Sequence, residues 1–184
     1  MKTHVLVVLF ALLCHASASA VTLVPAPPGI NADAYLLMDF VTGEVLVEHN
    51  IDTRLPPASL TKLMTSYILA EEVDAGRLSL DDEVTVSRNA WSQNPQFRGS
   101  SLMWIEPGKK VTVGELEQGI VISSGNDATV AIAEHIAGSE EAFVALMNSY
   151  AEELGLTATH FENTHGLPNS DHLTTARDLG ALAS

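Results

Sequence analysis

Ser59 and Lys62 stand three residues apart in the run Pro56-Pro-Ala-Ser-Leu-Thr-Lys-Leu-Met-Thr65. A serine hydroxyl is a poor nucleophile at neutral pH, so acyl transfer to it needs a base within hydrogen-bond reach. An i, i+3 spacing on a helix sets both side chains on one face, close enough for that contact. Lys62 also falls in the first turn of the expected helix, where the positive end of the helix dipole disfavours an ammonium. A lysine there is badly sited for stability, but as a neutral amine it is a usable base. The pattern alone is cheap. With 15 Ser and 4 Lys in 184 residues, about 0.3 chance matches arise at this composition. A helix-capping Ser59 beside a solvated Lys62 is the ordinary alternative.

A second element is therefore required. Ser-x-Asn occurs three times, as Ser87-Arg-Asn89, Ser92-Gln-Asn94 and Ser124-Gly-Asn126. Only the third lies between two helical segments, where a short turn can aim a hydroxyl and an amide at the Ser59 helix. The competing role is a plain helix-linking turn in which Asn126 or Asp127 caps.

The elements that would position these groups follow from periodicity. Residues 34–50 hold two β-rich runs around Asp39-Phe-Val-Thr-Gly43, which predicts a hairpin with Gly43 in the turn. From Ser59 to Ala75, Leu60, Leu63, Met64, Tyr67 and Ile68 fall at helical spacing, and Gly76 follows as a stop. Residues 87–110 carry Asn94-Pro95, Gly99, Pro107 and Gly108, the marks of a long surface excursion flanked by short strands at 83–86 and 111–113. Helices are expected over 114–122, over 127–137 with Asp127 as cap and Gly138 as stop, and over 140–154. The last has Phe143, Leu146, Met147, Tyr150 and Leu154 on one stripe. The loop HFENTHGLPNSDH and a helix beginning at Thr174 close the chain, and no internal repeat is present.

Length suits one domain with a real core, and 46% apolar with 17% charged residues reads as globular. Residues 1–20, MKTHVLVVLFALLCHASASA, have one early cation, an apolar run from Val5 to Leu13 and a small-residue end. That is the pattern of a secretory signal, too short to span a bilayer. The single cysteine, Cys14, follows Leu13, where a lipoprotein cleavage site would want a small residue, so lipidation is not favoured. Removing residues 1–20 takes away Lys2 and no acid, moving the net charge from −14 to −15. Such a surface repels phosphate backbones and anionic lipid, which argues against a nucleic-acid partner. A Pro-rich leader over 21–30 precedes the folded part, expected from residue 31 onward.

Taken in order, PPASLTKLMTSYILA, Gly99-Ser-Ser-Leu102, Gly119-Ile-Val-Ile-Ser-Ser-Gly-Asn-Asp-Ala128, Ala137-Gly-Ser139, Phe143-Val-Ala-Leu-Met-Asn-Ser-Tyr150, Thr159-His-Phe161, His165-Gly-Leu167 and Thr175-Ala-Arg-Asp178 resemble the serine-type D-alanyl-D-alanine carboxypeptidases, the low-molecular-mass penicillin-binding proteins. The resemblance covers about residues 31–184 without a break. It implies an α/β fold of the penicillin-binding-protein and serine β-lactamase kind, an antiparallel sheet with an all-helical subdomain and the active site at their junction. It implies Ser59 as nucleophile, Lys62 as base, Ser124 as proton shuttle and Asn126 as the group that binds the substrate's peptide amide. The backbone N–H of Ser59 would supply half of an oxyanion hole. The substrate implied is a peptidoglycan stem peptide ending in D-Ala-D-Ala, with β-lactams as covalent inhibitors, on the outer face of the cytoplasmic membrane or in the periplasm. No cofactor or metal is implied.

One departure is large. The family's third motif, Lys-Thr-Gly on a strand beside the nucleophile, is absent, since none of Lys2, Lys62, Lys109 and Lys110 precedes Thr-Gly or Ser-Gly. The expectation is an incomplete catalytic domain over 31–184, lacking the C-terminal strands and any C-terminal membrane anchor, with little activity alone. Two alternatives stand beside the carboxypeptidase. One is a serine β-lactamase, disfavoured because no Glu-x-x-Leu-Asn-like element is present to activate a deacylating water. The other is a non-catalytic relative that binds peptidoglycan peptides or β-lactams. His160, Glu162, His165, Asp171 and His172 crowd into 13 residues, but His160 and His165 match the family's non-metal pattern, so structural roles are preferred to a metal site. Packing of the long loop is likewise preferred to a substrate rim for Trp91, Phe97 and Trp104.

Overall fold

Asp39 organises the first turn of the fold. Its carboxylate accepts the backbone N–H groups of Val41 and Thr42 and the Thr42 hydroxyl, while Gly43 takes φ +71°, a conformation that a Cβ would strain. The turn joins β1 (Tyr35–Met38) to β2 (Val45–His49) as an antiparallel hairpin, with Tyr35 opposite His49. The computed structural model describes residues 27–184. The signal-like segment with Cys14, and residues 21–26 of the leader, lie outside the described residues.

After the hairpin, a 3-10 turn (Ala58–Thr61) leads into α1 (Lys62–Asp74). The stripe read from the sequence is divided in the structure. Met64, Thr65, Ile68 and Leu69 are buried, whereas Leu60 and Leu63 are 52% and 39% exposed and line an apolar groove against the hairpin. Period alone cannot separate them, because the hairpin supplies an apolar neighbour on the second side.

Strand β3 (Glu83–Thr85) pairs antiparallel with β4 (Lys110–Thr112), and the excursion between them is not confined to the surface. Ala90, Phe97 and Ile105 dip into the core. Each removes an apolar side chain from water, worth roughly 1.5–3 kcal/mol for the larger ones, which is why the loop is ordered without regular structure.

Thr112 and Glu115 form a reciprocal capping box that starts α2 (Val113–Ser123). The next helix, α3 (Asn126–Ala137), is the centre of the fold, with every residue from Asn126 to Ala133 buried. A helix buried on all sides over its first two turns needs neighbours on all sides. On one side Leu69, Phe97, Leu116 and Ile120 pack with Val130 and Ile132; on the other Met64, Ile68, Phe143, Met147 and Phe161 pack with Ala133. Within the second group, Phe143 and Met147 come from α4 (Glu140–Glu153), capped by the Ser139 hydroxyl. A short α5 (Ala176–Leu182), capped by Thr175, sets Gly180 against Leu36 and Met38 of β1. Residues 32–184 form one unit. Among the described residues no helix is long and apolar enough to cross a membrane.

Candidate active site

Ser59 lies in the 3-10 turn, not in the α-helix proper, and the residue before it is strained. Ala58 holds φ +47°, the left-handed region that a Cβ disfavours. Such conformers cost on the order of 1–3 kcal/mol and persist where surrounding structure imposes them. Here the loop at residues 160–173 does so. A Cβ on Gly166 would fall 1.8 Å from the Ala58 carbonyl oxygen, so the two backbones meet at a distance only glycine permits.

Lys62, the first residue of α1, is 6% exposed. Its Nζ lies 2.7 Å from Asn126 Oδ1, 2.8 Å from the His165 carbonyl oxygen and 3.5 Å from Ser59 Oγ. Among the described residues no carboxylate pairs with it. Burial without a counter-charge disfavours the ammonium and pulls its pKa down to about 8. A neutral amine has two N–H groups and one lone pair. Asn126 and His165 take the two donors, which leaves the lone pair for Ser59 Oγ.

Ser124 ends α2 in the left-handed conformation, φ +53°. Its Oγ donates to Ser59 Oγ at 3.2 Å, so the Ser59 hydroxyl lies between Lys62 and Ser124, and once Lys62 is neutral its lone pair becomes the acceptor on that side. Asn126, 4% exposed, is pinned through its own N–H to the Ser101 carbonyl at 3.0 Å. The four residues Ser59, Lys62, Ser124 and Asn126 are therefore brought together, three of them beside a cleft of about 210 Å³ with Ser66 and Ile120 on its walls. The arrangement is chemically competent to activate a serine hydroxyl.

Asp127 does not cap α3, contrary to the expectation from sequence. Gly125 occupies the cap position, and the fully buried Asp127 carboxylate accepts, besides the adjacent Ala128 N–H (3.0 Å), three backbone N–H groups from a distant segment, those of Met103 (2.8 Å), Trp104 (2.8 Å) and Ile105 (3.1 Å). It clamps the 101–105 segment against the turn that carries Ser124 and Asn126. A Cβ on Gly119 would meet Met103 Sδ at 2.3 Å, so the same segment also seats in α2.

The histidine-rich loop packs against the nucleophile turn. Leu173 and His160 exchange backbone hydrogen bonds at its base, and among the described residues no three His, Asp or Glu side chains converge on a common point. His165 is buried: Nδ1 accepts the Leu167 N–H, and Nε2 faces Glu140 at 3.6 Å. Burial lowers its pKa to about 3 and that of His172 to about 4, so both are neutral near pH 7. Phe97 is fully buried edge-on to His165, whereas Trp104 is 71% exposed with φ +70°.

Comparison with known proteins finds relatives over most of the described chain. A family model for D-alanyl-D-alanine carboxypeptidase matches residues 21–184. The chain is 49% identical over 156 residues to D-alanyl-D-alanine carboxypeptidase DacC of Escherichia coli, covering 84% of this chain and 39% of that protein. It is 49% identical over 168 residues to DacD of Salmonella typhimurium, covering 91% and 43%. It thus spans about two fifths of the length of these relatives. The crystal structure of penicillin binding protein 6B from Escherichia coli superposes with a TM-score of 0.83 at 47% identity, over 88% of this chain and 51% of that one. Penicillin binding protein 5 from Haemophilus influenzae gives 0.83 at 41%, over 87% and 46%. Over the matched part the fold is that of these penicillin-binding proteins.

Proposed function

The chain belongs to the D-alanyl-D-alanine carboxypeptidase family, and on that footing we propose that Ser59 removes the terminal D-alanine from peptidoglycan stem peptides. Ser59 Oγ attacks the carbonyl carbon of the D-Ala-D-Ala bond as Lys62 Nζ takes its proton. Ser124 Oγ, hydrogen-bonded to Ser59, relays a proton to the departing D-alanine amine as the Lys62 ammonium returns one to it, so that both groups recover their starting forms. The acyl group is left as an ester on Ser59, which water then hydrolyses. Asn126 meets the peptide amide of the substrate. The N–H of Ser59, in a first turn where N–H groups lack intrahelical acceptors, donates to the developing oxyanion. β-Lactams, which carry a reactive amide of similar shape, acylate the same hydroxyl. We place this chemistry outside the cytoplasmic membrane, on the strength of the signal-like pattern over residues 1–20.

The observation that carries this reading is the disposition of Lys62 Nζ, buried without a counter-charge, with Asn126 and His165 as neutral acceptors and Ser59 Oγ at 3.5 Å. A solvated lysine beside a helix cap would be exposed and unshifted. The test is intact mass spectrometry of the full-length protein after incubation with benzylpenicillin, with peptide mapping of the adduct. A penicilloyl group on Ser59, absent from Ser59→Ala, supports the reading. A folded protein that acquires none, or acquires it elsewhere, overturns it.

A further inference from the structure

Thr61 sits between the nucleophile and its base, in the position that normally caps a helix. A threonine there usually turns its hydroxyl onto a backbone N–H two or three residues ahead. Thr61 makes no such bond. Its fully buried Oγ1 lies instead 2.7 Å from Nε2 of His172, 111 positions later and itself 2% exposed. The other ring nitrogen settles the tautomer. His172 Nδ1 accepts the Glu162 N–H at 2.9 Å, so in the neutral ring the proton is on Nε2 and is donated to Thr61. Phe161 packs edge-on against the imidazole and fixes its plane.

His172 is anchored in turn. The next residue, Leu173, is paired with His160, and Thr174 exchanges two backbone hydrogen bonds with Leu55, just ahead of the nucleophile turn. The ring therefore projects from a cross-braced base. From the far part of the same loop come the His165 carbonyl that receives Lys62 Nζ, the Thr164 carbonyl that receives the Thr65 hydroxyl at 2.8 Å, and Gly166 against Ala58. The loop grips the turn before Ser59 and the helix after it. Between Ser59 and Lys62 the grip is the Thr61–His172 bond.

We propose that His172 is a positioning residue for acylation: by holding Thr61 it sets the Ser59–Lys62 turn in register with the loop carbonyl that orients the lysine amine. This rests on the acyl-transfer reading of Ser59. Displacement of a catalytic group by about 1 Å can cost on the order of a hundredfold in rate, and a turn that already carries a left-handed alanine has a strained arrangement to relax from. His172 touches no reacting atom, so its loss acts on the rate of bond formation and not on ligand recognition.

The experiment is a double-mutant cycle on the full-length protein, reading the acylation step by benzylpenicillin, with the limiting rate and the ligand dissociation constant separated by stopped flow. Thr61→Val keeps the branched shape and removes the hydroxyl; His172→Ala removes the ring; His172→Gln retains a donor near the Nε2 position. Expected are limiting rates lower by about tenfold or more for Thr61→Val and His172→Ala, with the dissociation constant within about twofold of wild type. The double variant should be no slower than the slower single, and His172→Gln should recover most of the rate. Effects of Thr61→Val below about twofold, or single-variant effects that multiply, overturn the tether while wild-type acylation of Ser59 still stands. If His172→Ala does not fold, Thr61→Val and His172→Gln carry the same comparison. A wild-type protein that leaves Ser59 unmodified overturns both readings together.

Discussion

Lys62 Nζ lies 2.7 Å from Asn126 Oδ1, a bond across 64 positions that ties the first residue of α1 to the first residue of α3. An amide oxygen is a neutral acceptor, so it satisfies an amine N–H without holding the amine in its charged form. Replacing it by a carboxylate reverses this. Asn126→Asp is expected to raise the pKa of Lys62 and to slow penicillin acylation at pH 7 by about a hundredfold, with the inflection of the rate moved to higher pH. Unchanged acylation in this variant would show that Lys62 is not the base.

The wild-type pH profile has a defined sign. Below about 8, the pKa to which burial lowers Lys62, the free-base fraction falls about tenfold per pH unit, and the acylation rate should fall with it. Above that value the rate levels off. Stopped-flow acylation from pH 5.5 to 10 checks this, and a flat profile across pH 7 to 9 would rule out titration of the base in that range.

The two buried histidines contribute to the acid limb of stability. Their folded pKa values, about 3 for His165 and about 4 for His172, lie below the ordinary 6.5. The unfolded chain therefore binds more protons between these values, and stability present above about pH 6.5 is lost as pH falls toward 4 and then 3. Urea unfolding at a series of pH values should show this slope, reduced by one proton in His172→Gln.

Gly166→Ala introduces a Cβ 1.8 Å from the Ala58 carbonyl oxygen at a φ of +91°. The loop and the nucleophile turn must separate to admit it. The expected loss is about 2 kcal/mol or more in chemical denaturation, with acylation reduced in the fraction that remains folded.

Asp127→Asn keeps the size of the side chain but presents one acceptor oxygen to four N–H donors, from Met103, Trp104, Ile105 and Ala128. Leaving a buried donor unpaired costs about 1–3 kcal/mol. Circular dichroism melts should register this. Proteolysis should begin within residues 99–107 if the clamp is what orders that segment.

Much of the architecture was legible in residues 31–184 before any coordinates. The Asp39–Gly43 turn, the helix stops at Gly76 and Gly138, and the stripe on α4 are written in groups a few positions apart, where hydrogen bonds and periodicity operate locally. So was the pairing of Ser59 with Lys62, since an i, i+3 spacing brings them together in any helical turn. The lysine's state of ionisation was not in that spacing. It comes from burial to 6% exposure beneath the loop at 160–173 and from neutral acceptors on Asn126 and His165.

The remaining differences have the same origin. Leu60 and Leu63 share the period of Met64 and Ile68, but face a hairpin groove that lies outside α1. Asp127 stands where a cap is expected, yet backbone N–H groups from residues 103–105 reach it first, and three of them offer a buried carboxylate more than one helix turn can. Thr61 forgoes its local cap for His172, 111 positions away. By itself the sequence determined that Ser59 and Lys62 share one turn and which elements carry them, because those depend on neighbours along the chain. Tertiary structure alone decided which proton each group holds and which face each helix buries, because desolvation and long-range hydrogen bonds arise only once distant segments are packed together.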